Sequence, residues 1–246
     1  SDEERLRKEI RDRVEELRKR LDDTEEEYDK RIRDLRRKIK EVEDRYREKI
    51  KRLEEKLRRG ELSTELLLEA IARTSEEVNR ILEELLREIA DLSREVLEKL
   101  RRLAKELEDL VEEILRKLLA RRDTERIREI VRKLRELVDE VRKRLEDIIR
   151  ENEELLKKAE EDLKRIVEEN EKLIRDAADR IRKIKDKDTV LRILKELMDR
   201  DEEILRRILK LIKELLDESK KTVRRVLELL KELLRKILKL VEEITR

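Results

Sequence analysis

Core-type positions recur along the first quarter of the chain at Leu6, Ile10, Val14, Leu17 and Leu21. The pattern continues through Thr24, Tyr28, Ile32, Leu35 and Ile39, and then through Val42, Tyr46, Ile50, Leu53 and Leu57. The steps are 4, 4, 3, 4 and 3, and they repeat every 18 residues. Eighteen residues over about five turns is ~3.6 per turn, the period of a straight α-helix, whereas a sustained seven-residue repeat would impose a left-handed supercoil. The same 18-residue spacing joins Ile127, Leu145, Leu163 and Ile181, and again Val190, Ile208, Val226 and Ile244. The pattern predicts nearly straight helices rather than strands, in which apolar residues would alternate with a period of two.

Three short stretches interrupt it. In "RRGELST" (58–64), Gly60 suits the left-handed position after a helix end and Ser63 suits an N-cap, with Leu62 and Leu67 spaced as a hydrophobic staple. In "RRDTER" (121–126) Asp123 is the expected cap, and in "KDKDTV" (185–190) Asp188. Ser1 and Glu4 have capping-box spacing at the start. These breaks give helices at about 2–59, 64–121, 124–185 and 189–245. Each is on the order of 90 Å long at helical rise. Short turns between long helices force antiparallel neighbours. The expected fold is therefore all-α: a single-chain, up-down-up-down four-helix bundle forming one elongated domain over 1–246.

Polar residues intrude into this pattern at matched heights. Asn152 and Asn170 occupy core-type positions 18 residues apart, in "RENEELL" and "EENEKLI". Counting outward from the turns brings Tyr28, Ser93, Asn152, Ser219 and Thr222 to one level. A shift of 18 residues along each helix gives a second level with Tyr46, Ser75, Asn170 and Asp201. The two levels lie ~27 Å apart at helical rise. A buried polar group without a partner costs about 1–3 kcal/mol. Asn, Tyr, Ser and Asp side chains of facing helices can satisfy one another only in one register, so these levels are expected to specify it.

The apolar arcs differ in width. Those of the second and fourth helices are widest, through Leu86, Leu97 and Leu115 and through Leu209, Leu227 and Leu238. Two arrangements fit. Either these helices lie on the short diagonal of the bundle, or their outer rims form an interface with another chain. Asn79, on the outer edge of the second helix, slightly favours an intermolecular polar contact. A monomer is the leading expectation and a homo-oligomer the alternative.

Composition narrows the chemistry. Of 246 residues 57% are charged, with one Gly, two Tyr and no Pro, Cys, His, Trp or Phe. Without His and Cys there is no Ser-His or Cys-His pair and no ordinary zinc site. One glycine cannot build a phosphate-cradling loop. Asp201 could be a lone buried acid, but an acceptor role fits its level better, so no enzyme activity, catalytic residue, metal or cofactor is expected. Lys plus Arg is 71 against 69 Asp plus Glu, with the signs interleaved. That mixture argues against nucleic-acid binding. Apolar runs are far shorter than the ~20 residues a bilayer span needs. No basic-then-apolar leader opens the chain, so neither a signal peptide nor a membrane location is expected, and no compartment is indicated. No small-molecule substrate is indicated either.

The repeated "ENEELL"/"ENEKLI" stretches, the two Tyr/Ser/Asn levels, the 18-residue period and the missing His, Cys and Pro resemble de novo designed helical bundles with buried hydrogen-bond networks. The resemblance covers the whole chain. It implies high stability and a role as a scaffold without natural biochemical activity. The alternative is a self-assembling or switchable interaction module, using either the wide faces of the second and fourth helices or a displaceable first helix.

Overall fold

The computed structural model describes residues 2–244, so the expected cap at Ser1 lies outside them. Four helices follow one another: α1 (Asp2–Arg58), α2 (Thr64–Arg121), α3 (Glu125–Arg182) and α4 (Lys187–Ile244). No strand occurs among the described residues. The third helix ends earlier and the fourth begins earlier than the pattern predicts. No helix is long and apolar enough to cross a membrane among the described residues.

The ends of the helices explain their boundaries. Gly60 has φ +67°, the left-handed conformation. Around it Glu61 N–H donates to the Lys56 carbonyl (3.0 Å) and Gly60 N–H to the Leu57 carbonyl (3.2 Å), which closes α1 in a Schellman motif. Ser63 caps α2: its carbonyl accepts from Leu67 N–H (3.0 Å) and its Oγ from Leu66 N–H (3.2 Å). The other two caps differ from expectation. Thr124 rather than Asp123 caps α3, its Oγ1 accepting from Ile127 N–H at 3.3 Å. Asp123 is drawn outward by a forked pair with Arg128, at 2.7 and 2.9 Å. Asp186 rather than Asp188 caps α4, accepting from Asp188 N–H (3.3 Å) and Thr189 Oγ1 (2.7 Å). The Thr189 hydroxyl and the Asp188 amide hold its carboxyl below the usual range. Thr124→Ala is expected to destabilise the protein by about 1 kcal/mol, and Asp123→Ala by less. Chemical denaturation of the two variants checks the order.

Contacts divide the chain into two compact units. One comprises Ser1–Arg31, Asp91–Glu154 and Ser219–Arg246, the other Ile32–Ala90 and Leu155–Glu218. The boundaries fall inside helices rather than at loops. Each unit contains a segment of all four helices, arranged as a ring of antiparallel neighbours. In the first unit α1 meets α2 at Arg31–Glu95 (3.0 Å), α2 meets α3 at Arg94–Glu153 (3.0 Å), and α4 meets α1 at Lys231–Asp22 (3.0 Å). In the second unit Lys49–Glu77 joins α1 to α2 (2.9 Å), Arg207–Glu169 joins α4 to α3 (3.1 Å), and Lys213–Glu43 joins α4 to α1 (3.4 Å). The fold is thus an all-α four-helix bundle.

The α1–α2 ion pairs keep a fixed register. In Arg13–Glu113, Arg20–Glu106 and Arg31–Glu95 of the first unit the two residue numbers add to 126. The same holds for Lys38–Glu88 and Lys49–Glu77 of the second. These side chains are about half exposed, so each pair contributes at most ~1 kcal/mol. Their regularity therefore matters more for alignment than for stability. Stability comes from the apolar stripes: Leu21, Ile32, Leu67, Leu82, Leu100, Leu145, Leu163, Ile208 and Val226 are buried, whereas Leu53, Leu57 and Ile181, towards helix ends, are half-buried. Burying each such side chain contributes roughly 1.5–3 kcal/mol.

Candidate functional site: two buried polar layers

The polar positions lie inside these apolar stripes. Ser75, Asn79, Ser93, Asn152, Asn170, Asp201 and Ser219 are all buried, together with Tyr28 and Tyr46. Because Tyr28 and Tyr46 continue the α1 spacing, their rings fill core volume and only their hydroxyls need partners.

In the first unit two bonded pairs link helices at this level. Tyr28 Oη and Ser219 Oγ are 3.0 Å apart and join α1 to α4. Asn152 Nδ2 donates to Ser93 Oγ at 3.0 Å, and a longer contact of 3.3 Å runs from Ser93 Oγ to Asn152 Oδ1, joining α2 to α3. Thr222 is half-buried at this level. Thr24 bonds inside its own helix, donating to the Arg20 carbonyl at 2.7 Å. That local bond is the usual outlet for a threonine on a helix and removes it from the cross-helix set.

In the second unit the bonds converge on one carboxylate. Tyr46 Oη donates to Asp201 Oδ2 at 2.6 Å. Ser75 Oγ donates to Asp201 Oδ1 at 2.8 Å, and Asn170 Nδ2 donates to the same oxygen at 2.7 Å. Ser75 Oγ also lies against Asn170 Oδ1. A serine has one hydroxyl proton, so it serves one of these oxygens at a time. Asn170 Oδ1 is covered in either case, because Asn79 Nδ2 donates to it at 3.0 Å. All four helices contribute: α1 through Tyr46, α2 through Ser75 and Asn79, α3 through Asn170, and α4 through Asp201. Burial raises the Tyr46 phenol far above its ordinary value, and the charge and hydrogen bond of Asp201 raise it further. Among the described residues, no fully buried side-chain nitrogen or oxygen of either level lacks a hydrogen bond.

Asn79, which the helical wheel puts on an outer edge of the second helix, is 8% exposed and bonded to Asn170 of the same chain. The wide leucine faces are also covered from within. Leu86, Leu97, Leu115, Leu209 and Leu227 are buried by the chain's own helices, and Leu238 is half-buried. In the second unit α2 and α4 touch across the ring, as the Ser75–Asp201 bond shows. A helix that meets both flanking neighbours and the opposite one needs a wide apolar arc. The sequence reading missed Thr74, which is also buried, beside Ser75 on α2. Its neighbour in the layer gave the available hint.

The chemical repertoire of these layers is narrow. They hold phenol, hydroxyl, amide and carboxylate groups already engaged with one another. No group of three or more acidic side chains that could hold a metal ion occurs among the described residues. Comparison with family models, with curated proteins and with solved structures finds no match.

Proposed function

We propose that this chain is a monomeric structural scaffold of the designed helical-bundle kind, without natural biochemical activity. Its buried layers act as hydrogen-bond networks that specify register and helix pairing. The observation that carries this reading is the convergence of Tyr46, Ser75 and Asn170 on Asp201, with Asn79 completing Asn170. A helix rotated or shifted by one residue turns its polar group about 100° away. It then faces leucine, at about 1–3 kcal/mol for each buried group left without a partner. The constant spacing of the α1–α2 ion pairs supports the same alignment from the surface.

Monomeric status is supported by the burial of the wide leucine faces within the chain. Among the described residues Leu66, at 54%, is the exposed large apolar side chain. Catalysis, cofactors, nucleic acid and membrane have no part in this reading.

Light scattering on a sizing column, across a concentration series, tests it. A constant mass near 30.3 kDa is the expected result. A clean multiple of that mass would replace the scaffold with a self-assembling module.

A further inference from the structure

α1 enters each polar layer at its edge. In the first unit its Tyr28 meets Ser219, while Asn152 and Ser93 join α3 to α2 without it. In the second unit its Tyr46 donates to Asp201, while Ser75, Asn79 and Asn170 bind α2, α3 and α4 together. The Ser75–Asp201 bond crosses the ring there. The three later helices therefore form a triangle, and α1 lies outside it in the notch between α2 and α4.

Its apolar stripe is narrow as well. Among the described residues no two consecutive positions of α1 are both buried. α2 buries Leu85 beside Leu86 and Ile114 beside Leu115, and α4 buries Ile204 beside Leu205. Residues 59–63 join α1 to α2, and Arg59, Gly60 and Glu61 in that connection are exposed.

The 18-residue apolar repeat is shared with α3 and α4. What distinguishes α1 is the order of charges along its two edges. Towards α2, Arg13, Arg20 and Arg31 in the first unit and Lys38 and Lys49 in the second all meet glutamates. The reversed pairs Glu9–Lys117 (3.0 Å) and Glu27–Lys99 (3.6 Å) keep the same total of 126. Towards α4 the sign alternates. Arg11–Glu242 (3.1 Å) and Asp22–Lys231 (3.0 Å) lie in the first unit, Arg36–Asp217 (3.2 Å) and Glu43–Lys213 (3.4 Å) in the second.

We infer that the α2, α3 and α4 segments of each unit form a seat that binds a helix supplied as a separate molecule. Its ligand is a free polypeptide with the apolar spacing and charge order of α1, and α1 is the resident occupant. In the uncut chain the tether holds α1 at an effective concentration on the order of millimolar. The seat is therefore closed to a micromolar competitor and opens to one when the 59–63 connection is cut. This goes beyond the scaffold reading. The solution mass of the uncut chain tests that reading and leaves the seat untouched.

The test uses the whole chain with a specific protease site inserted after Glu61, beyond the hydrogen bonds that close α1. The protein is folded, cleaved, unfolded in guanidinium with excess fluorescent peptide of residues 1–61, and refolded by dilution. Unfolding removes any delay from slow exit of the resident helix. On a sizing column the label should elute with the cleaved protein, one peptide per molecule. The uncut chain, treated alike, should take up at least about tenfold less. A peptide with Arg13→Glu, Arg20→Glu, Arg31→Glu, Lys38→Glu and Lys49→Glu should bind at least about tenfold more weakly than the native one. Glu113→Arg, Glu106→Arg, Glu95→Arg, Glu88→Lys and Glu77→Lys in α2 should restore it. No uptake by the cleaved protein, or equal uptake by cleaved and uncut protein, would overturn the seat. Equal binding of the native and charge-reversed peptides would overturn the part assigned to the ion pairs. Where refolding is incomplete, warming the folded, cleaved protein with the peptide gives the same readout.

Discussion

Replacing Asn170 with leucine is expected to lower the free energy of unfolding by about 3 kcal/mol, while Asn152→Leu lowers it by only about 1 kcal/mol. Both asparagines sit at the same place in the 18-residue repeat, and both are at least 97% buried. Their surroundings differ. Without Asn170, Asp201 loses a 2.7 Å donor and Asn79 Nδ2 loses its acceptor. Two groups are stranded, one of them a carboxylate, and the added leucine recovers only part of the loss through apolar burial. Without Asn152 the stranded group is the Ser93 hydroxyl, which can turn to the carbonyl four residues back in its own helix. It follows that Ser93→Ala combined with Asn152→Leu should return close to the parent stability, because both partners are then apolar. Guanidinium denaturation followed by circular dichroism gives all four values. Equal losses for the two single variants would mean that the bonds converging on Asp201 add nothing to a simple pair.

Stability should also fall at high pH through Tyr46. Burial raises its phenol above the ordinary value, and the Asp201 carboxylate raises it further. In the unfolded chain the phenol titrates near pH 10. The folded value is the higher one, so the stabilisation is complete below about pH 10 and is lost as pH rises above it. The slope approaches ~1.4 kcal/mol per pH unit for one such group. Tyr46→Phe should behave in two opposite ways. At neutral pH it is less stable, because Asp201 Oδ2 loses its 2.6 Å donor. Above pH 10 its stability declines less steeply than that of the parent. Lysines also titrate in this range, but they do so in both proteins, so the difference between the two curves isolates the tyrosine. Parallel curves would show that the phenol ionises as readily in the folded state as in the unfolded one.

The helices were legible because one pattern runs through the whole chain with few breaks. Counting residues from the turns assigns Tyr46, Ser75, Asn170 and Asp201 to one level, and hydrogen bonds join those four side chains. Counting succeeds there because rise per residue is fixed in a helix. It gives height well and direction poorly. Asn79 has the right height, but a wheel cannot say whether an edge faces water or the next helix. Only the position of α3 decides that. Thr24 has height and direction both, yet it bonds its own helix, a local competition that spacing does not reveal. The caps went astray by one or two residues for a related reason. Asp123 and Thr124 are both good N-cap residues, and the choice fell to Thr124 because Arg128 engages Asp123 from the side. In "KDKDTV" the first of two aspartates opens the helix, and Thr189 adds a hydroxyl bond to it.

The bonds in the second unit have a direction as well as a geometry. Tyr46, Ser75 and Asn170 all donate into Asp201, and Asn79 donates into Asn170. Whichever oxygen receives the single proton of Ser75, no arrow points away from Asp201. The cluster is a rooted tree, with the carboxylate at its root, Asn170 as its one inner node, and Tyr46, Ser75 and Asn79 as leaves. A tree of this kind can be pruned from the tips inward. Removing a leaf leaves every other donor with its destination, whereas removing the root deprives three helices of theirs at once. Sequence variation compatible with this fold should therefore enter at Asn79 first and reach Asp201 last, and a single family of viable sequences would carry that order as a record of which group was laid down as the foundation.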